Sequence, residues 1–419
     1  MIAAVGPLDP RAAEAALLDA VQRQTLRYFW DFAHPVSGLA RERSNATPDV
    51  VSSGGSGFGL MAILVGIERG WIEREEGLDR LVTLVRFLAA ADRHHGVFPH
   101  WLHGGSGRTV RFAPKDDGGD LVETSFLMAG LLAVRQYFGG VEPRERELRE
   151  LIDMLWRGVE WDWYTRGETV LYWHWSPVHG WAMNHPIRGW NECLVTYLLA
   201  ASSPTHAIGP AVYHRGFAEG PAFLNGRPYY GMTLPLGPDG GGTLFFAHYS
   251  FLGIDPNGLS DRYADYWRQN RAHTLVNRAY CIANPKGFAG YGADCWGLTA
   301  SDSIDGYVGH SPTDDRGVIT PSAALSSYPY TPNESLAALR HFAALGERLW
   351  GAYGFRDAFS HAADWYAPSY IAIDEGPIVV MIENHRSRLL WRLLMGCPEV
   401  QRGLAALGFT RATGAVPTV

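Results

Sequence analysis

The sequence predicts an all-α fold, an (α/α)6 toroid or barrel of helical hairpins that carries one long loop and β-hairpin insertion. Helical segments of two kinds alternate along the chain, and nothing like a Pro/Ser-rich linker divides them. One kind is amphipathic: Leu78, Leu81, Val82, Val85 and Leu88, then Leu148, Leu151, Ile152 and Leu155, follow the i, i+3, i+4, i+7 spacing that buries a single stripe. The other is apolar nearly all round, over 58–67, 121–134, 193–201, 336–345 and 378–382, and needs cover on every side. An inner ring of buried helices inside an outer ring of amphipathic ones satisfies both. A single domain over 12–408 is expected, with the last ten residues as a frayed tail.

The third observation is an interruption. Residues 207–250 hold nine Gly and five Pro, and within them 229–236, a Gly-rich turn at 238–242 and 243–248 read as a hairpin. A long non-helical insertion in a compact domain more often walls a binding site than acts as a spacer. Residues 300–330 take the same reading.

Composition narrows the function classes. A net charge of −7 with both signs scattered leaves no basic stripe for nucleic acid or an anionic membrane. No run reaches the roughly 18 apolar residues of a membrane span. The start carries Asp9, Arg11 and Glu14 and no basic n-region, so the expectation is a cytoplasmic protein, or a periplasmic or secreted domain whose leader has been removed. Cys193, Cys281, Cys295 and Cys397 form no CxxC and read as small core residues. The histidines show no H-E-x-x-H spacing, so neither metal nor cofactor is expected. Asp116-Asp117-Gly118-Gly119-Asp120 matches the DDxxD string of magnesium-dependent isoprenoid synthases, but that motif needs a helical face, which Gly118 and Gly119 disfavour. The 15 Trp, 19 Tyr and 18 Phe are more informative, because aromatic faces are platforms for sugar rings, although most of them fill core.

The buried helices share one feature: a polar or acidic residue opens each. The openings are Ser56-Gly57-Phe58, Asp120 to Glu123, Gly189 to Glu192, Pro332-Asn333-Glu334 and Asp374 to Pro377. If these helices run the same way, their N-termini ring one mouth and several carboxylates converge there. Cleavage of a glycosidic bond needs two such groups, an acid to protonate the leaving oxygen and a carboxylate to activate water or attack the anomeric carbon. Clustering raises the pKa of the group that must stay protonated. Each candidate also has a bland role. Asp120 with Glu123, and Thr331 with Glu334, fit capping boxes. Glu192 does not, since Gly189 stands three residues before it. Asp374 and Glu375 read equally well as first-turn acids.

Taken in order, residues 119–127 (GDLVETSFL), Trp190-Asn191-Glu192 with 197–204 (YLLAASSP), Thr331 to Ser335 and Asp374 to Pro377 resemble the glycoamylase-like domain of bacterial β-1,2-glucanases, glycoside hydrolase family 144, over roughly residues 20–405. The resemblance implies an (α/α)6 toroid, a β-1,2-glucan or glucooligosaccharide substrate cut to short sophoro-oligosaccharides, inversion at the anomeric carbon, Glu192 as general acid, and Asp120 and Glu123 on acidic positions of the cleft. For the base Asp120 is preferred over Glu123, because an N-cap residue can point into a cavity while one at N3 can fold back on its own backbone; Asp374 is the reserve. An inverting pair stands about 6.5–9.5 Å apart. Trp190, Trp296, Tyr330 and Phe58 are the expected stacking platforms, with Arg188, His248, Glu334 and Glu375 as polar partners of the sugar. The chain is expected to act as a monomer, with no nucleic acid or membrane partner. A polysaccharide lyase or a non-catalytic glycan-binding protein on the same toroid is the alternative.

Overall fold

The computed structural model describes residues 1–412. Twelve α-helices of six or more residues lie among them: α1 (Glu14–Trp30), α2 (Ser53–Glu68), α3 (Arg74–Ala90), α4 (Leu121–Tyr137), α5 (Pro143–Arg157), α6 (Leu194–Ser202), α7 (Tyr266–Ala283), α8 (Pro321–Ser326), α9 (Pro332–Ala344), α10 (Ala372–Ser387), α11 (Leu389–Met395) and α12 (Pro398–Ala406). Short antiparallel strand pairs connect them. No helix among the described residues is long and apolar enough to cross a membrane.

Five helices form the interior. α6 packs on α4, α4 on α2, α2 on α10 and α10 on α8. In α2 every residue from Ser53 to Ile67 is buried, and in α4 every residue from Leu121 to Arg135. Helix α3 buries one stripe, Leu78, Leu81, Val82, Val85 and Leu88, and packs on α5, as the periodicity predicts. The main core cluster runs from Ile2 to Phe409.

Helix α2 carries five glycines, each costing about 1 kcal/mol against alanine in a helix interior. Close approach explains Gly57 of α2 and Gly130 of α4. A Cβ on Gly57 would fall 2.3 Å from the Phe126 carbonyl oxygen, and one on Gly130 would fall 2.3 Å from the Gly57 carbonyl oxygen. Helices α2 and α4 therefore meet backbone to backbone, and this seam fixes the height of one N-terminal turn against the other.

Three expectations are corrected. Residues 336–345, expected to be buried all round, lie mostly in α9, which buries only Ser335, Ala338, Leu339, Phe342 and Ala343. The fully buried helix there is α8, inside the stretch expected to be irregular; its six residues are too few to display a period. In the 207–250 insertion the hairpin strands are Leu224–Tyr229 and Met232–Leu236, turning at Tyr230-Gly231, where both residues have positive φ. The glycines at 240–242 instead bend the chain into the short 3₁₀ helix Leu244–Ala247.

Candidate active site

A cavity of about 500 Å³ opens where the N-terminal ends of α2, α4, α6 and α10 meet. Its wall includes Ser52, Val122 with Glu123, Glu192, and Ile371 with Ile373, each from one of those ends. Aromatic rings cover much of the rest: Trp101, Phe112, Trp173, Phe245, Tyr249 and Tyr307. Phe245 and Tyr249 come from the end of the 207–250 segment, whereas Tyr307 sits on the hairpin formed by Ala300–Ser303 and Gly306–Gly309. Both irregular stretches thus supply cavity wall.

Of the four acids expected to catalyse, two line the cavity. Glu123 Oε2 accepts the Gly54 amide of α2 at 2.8 Å. Burial pushes its carboxyl up; His100 and that amide pull it down, Asp120 and Asp116 add to the rise, and the outcome is about 7. Glu192 lies in the turn before α6, where Asn191 Oδ1 accepts the Cys193 amide at 3.0 Å. Ser250 Oγ bonds the Glu192 carbonyl and accepts the Val195 amide, so the backbone there is pinned from both sides. Burial raises its carboxyl to about 7 as well, its own amide opposing and the Glu123 and Asp120 charges adding.

Asp120 is different. Its Oδ1 accepts the Val122 and Glu123 amides at 3.0 and 2.9 Å, and its Oδ2 accepts Trp173 Nε1 at 3.2 Å and meets His100 Nδ1 at 2.9 Å. With four partners and 1% exposure it caps α4 and does not reach the cavity wall. Contrary to expectation, the N-cap acid turns back on its own helix, and the N3 acid reaches across to α2. Burial would depress His100, but the charges of Glu123, Asp120 and Asp116 outweigh it and push the imidazole up to about 9. His100 is therefore a cation at neutral pH, beside Glu123.

Asp374 and Glu375 lie behind the wall in a second acidic group with Asp357. Tyr249 donates to Asp374 Oδ1 at 3.2 Å, and the Asp302 amide donates to Asp357 Oδ2 at 2.6 Å. Burial and the neighbouring carboxylates hold Asp374 and Glu375 well above the usual range. At the cavity edge Arg43 bonds both Glu42 and Asp302.

The expected sugar partners are elsewhere. Trp190 packs among Phe223, Phe251 and Tyr266, Trp296 is fully buried, and Tyr330 spends its hydroxyl on Asn270 and the Ala247 carbonyl. Phe58 lies beneath the cavity against Phe126 and Tyr249. His248 bonds Ser327, exposed Arg188 bonds the Gly216 carbonyl, and Glu375 is sealed in the second acidic group. Glu334 stands in the first turn of α9, away from the cavity, and Thr331 makes no cap bond there. Sequence proximity to an acidic opening does not bring a side chain to the cavity, because chain neighbours point to alternate sides. The residues that do line the wall, His100, Trp101 and Trp173 among them, sit on or beside short strands facing Asp120 and Ser52. The clustered aromatics of 98–101 and 173–175 were the available signal. Asp116 to Asp120 is not helical: Gly119–Asp120 pairs as a strand with His174–Trp175, so the DDxxD face does not exist.

The family described as putative glucoamylase matches residues 184–398. A Parabacteroides distasonis protein named exo β-1,2-glucooligosaccharide sophorohydrolase (non-reducing end) is 46% identical over 411 residues, covering 93% of this chain; the chain spans 57% of that protein's length. A putative glucoamylase structure from Bacteroides uniformis superposes with a TM-score of 0.95 at 58% identity, covering 96% of this chain and 98% of the other. The endo-β-1,2-glucanase of Chitinophaga pinensis, solved with sophorotriose and glucose, gives 0.93 at 54% identity, covering 95% and 99%. With its acid-lined cavity and these matches, the chain belongs to the glycoamylase family, of the glycoside hydrolase family 144 type.

Proposed function

We propose that this protein is a glycoside hydrolase that cleaves β-1,2-glucan or its oligosaccharides to short sophoro-oligosaccharides, with inversion. The observation that carries this reading is the pair Glu123 and Glu192, one carboxyl buried and one partly exposed, both raised toward neutrality and open to one aromatic-lined cavity. Their surroundings divide the roles. Glu192 has no cation beside it to favour ionisation, which suits the general acid. Glu123 accepts a backbone N–H and lies near the His100 cation, both of which favour the ionised form of a base. Asp120 then orients His100 and caps α4, and Asp374 supports the wall through Tyr249. Trp101, Trp173 and Tyr307 offer ring faces to the apolar CH groups of glucose. Arg43, committed to Glu42 and Asp302, is not free to hold a uronate, which argues against a lyase.

The five buried helices packed one on the next, flanked by amphipathic partners, support an (α/α)6 toroid in one domain over 12–408. Incubation with linear β-1,2-glucan tests the activity: release of sophorose or longer β-1,2-oligosaccharides is expected, and binding without turnover would overturn it. Proton NMR of the fresh reducing end tests the stereochemistry. The α-anomer should appear first, and initial β-anomer would refute inversion.

A further inference from the structure

Cys295, His341 and His361 are separated by 46 and 20 positions in the sequence, but the fold brings one ligating atom of each to within 4.8 Å of the others. Cys295 comes from the loop after α7, His341 from the last turn of α9, and His361 directly follows the strand Phe359–Ser360. Cys295 is fully buried. His341 Nε2 is buried with no hydrogen-bond partner among the described residues, while its Nδ1 stands 3.8 Å from Asp294 Oδ2. The two imidazoles lie nearly perpendicular, with centroids 5.8 Å apart. Gly290 backs the His361 ring so closely that a Cβ there would come within 2.3 Å of it. None of the three lines the catalytic cavity.

We propose that Cys295, His341 and His361 form a zinc site with a structural role. One thiolate and two imidazoles are a borderline-soft donor set that suits zinc and not magnesium or calcium, with bonds of about 2.3 Å to sulfur and about 2.0–2.1 Å to nitrogen. Zinc would bind His341 through Nε2, the atom otherwise left without a partner. Asp294 would receive the Nδ1 proton side, as carboxylates behind zinc-bound histidines do. Binding releases the thiol proton of Cys295 to solvent, and a water completes four-coordination. The site would tie the loop that leads into the Ala300–Ser303 strand to α9 and to the 361 turn. That loop carries the part of the cavity wall that holds Ala300 and Tyr307.

The full chain, reduced, loaded with zinc and dialysed, should retain one zinc per chain by elemental analysis, and its Tm should rise with free zinc and fall back with chelator. Cobalt(II) in place of zinc should give a thiolate-to-cobalt charge-transfer band. Cys295→Ser should lose the band, and His361→Ala should lose the retained metal; circular dichroism of both variants at low temperature confirms that they fold. No retained metal in the native chain, or a band that survives Cys295→Ser, would overturn the proposal. Cobalt bound without a thiolate band, abolished by His100→Gln, would assign the metal to His100, Asp116 and Asp120 and would equally overturn it.

Discussion

The two acidic groups on either side of the cavity wall are alike in composition and differ in access. Both hold carboxyls raised by burial and by neighbouring carboxylates: Glu123 and Glu192 in one, Asp357, Asp374 and Glu375 in the other. Only the first borders open space, and there His100 sets one carboxyl apart from the other. The second is closed off behind the wall. A raised pKa therefore marks burial, and it becomes a candidate for chemistry only where the carboxyl can meet a substrate.

The largest effects should break this comparison if it is wrong. Glu192→Gln and Glu123→Gln should each lower kcat on β-1,2-glucan by about 10²–10⁴-fold while glucan binding, followed by calorimetry, persists. Asp374→Asn should leave most of kcat in place. A loss in Asp374→Asn as deep as in Glu123→Gln, in a folded protein, would move the base to the second group.

Ring faces come next. Trp173→Ala should raise KM about tenfold, the upper range for one aromatic contact. Trp190→Ala and Trp296→Ala should act on stability instead, by about 3–5 kcal/mol in chemical denaturation, as large buried rings do. A native Tm in Trp296→Ala combined with lost affinity would return that residue to the cleft.

The pH profile sharpens the first group. With both carboxyls near 7, kcat/KM should be bell-shaped around neutrality, and its two limbs belong to the pair. His100 lowers the Glu123 pKa, so His100→Gln should move the acid limb to higher pH. An unmoved acid limb would mean that Glu123 is not the base.

The smallest expected effect is on the second group's stability. Its carboxyls bind protons more tightly folded than unfolded, so stability should fall as pH rises above the unfolded carboxylate range. Asp374→Asn removes one titrating group, and its Tm relative to wild type should climb with pH. A constant difference would show that Asp374 is ionised in the fold.

Much of the architecture was legible because burial leaves a period. The stripe of α3 and the unbroken apolar run of α4 are visible as spacing, and α8 is not because six residues hold less than two turns. The acids were legible as openings to buried helices, which brought Glu123 and Glu192 into the candidate set. Their division of labour was not, since it depends on where a side chain turns: Asp120 onto its own amides, Glu123 onto Gly54. His100 and Trp173 could not be found from helical openings, because they reach the cavity from strands far along the chain. Cys295, His341 and His361 meet only through three separate elements, so spacing alone carried no sign of them.

The glycine seam between α2 and α4 gives the catalytic group an unusual sensitivity to distance along the helix. Gly130 lies nearly two turns beyond Glu123, far from any sugar, but it touches the Gly57 carbonyl, and Gly57 lies one turn beyond the amide that Glu123 accepts. With no side chain in between to flex, a methyl added at 130 displaces α2 as a unit and carries the Gly54 amide with it. In a screen for altered pH optima, substitutions at this remote contact should therefore appear beside those in the cavity, because they adjust proton affinity through the backbone and leave every group that faces the substrate unchanged.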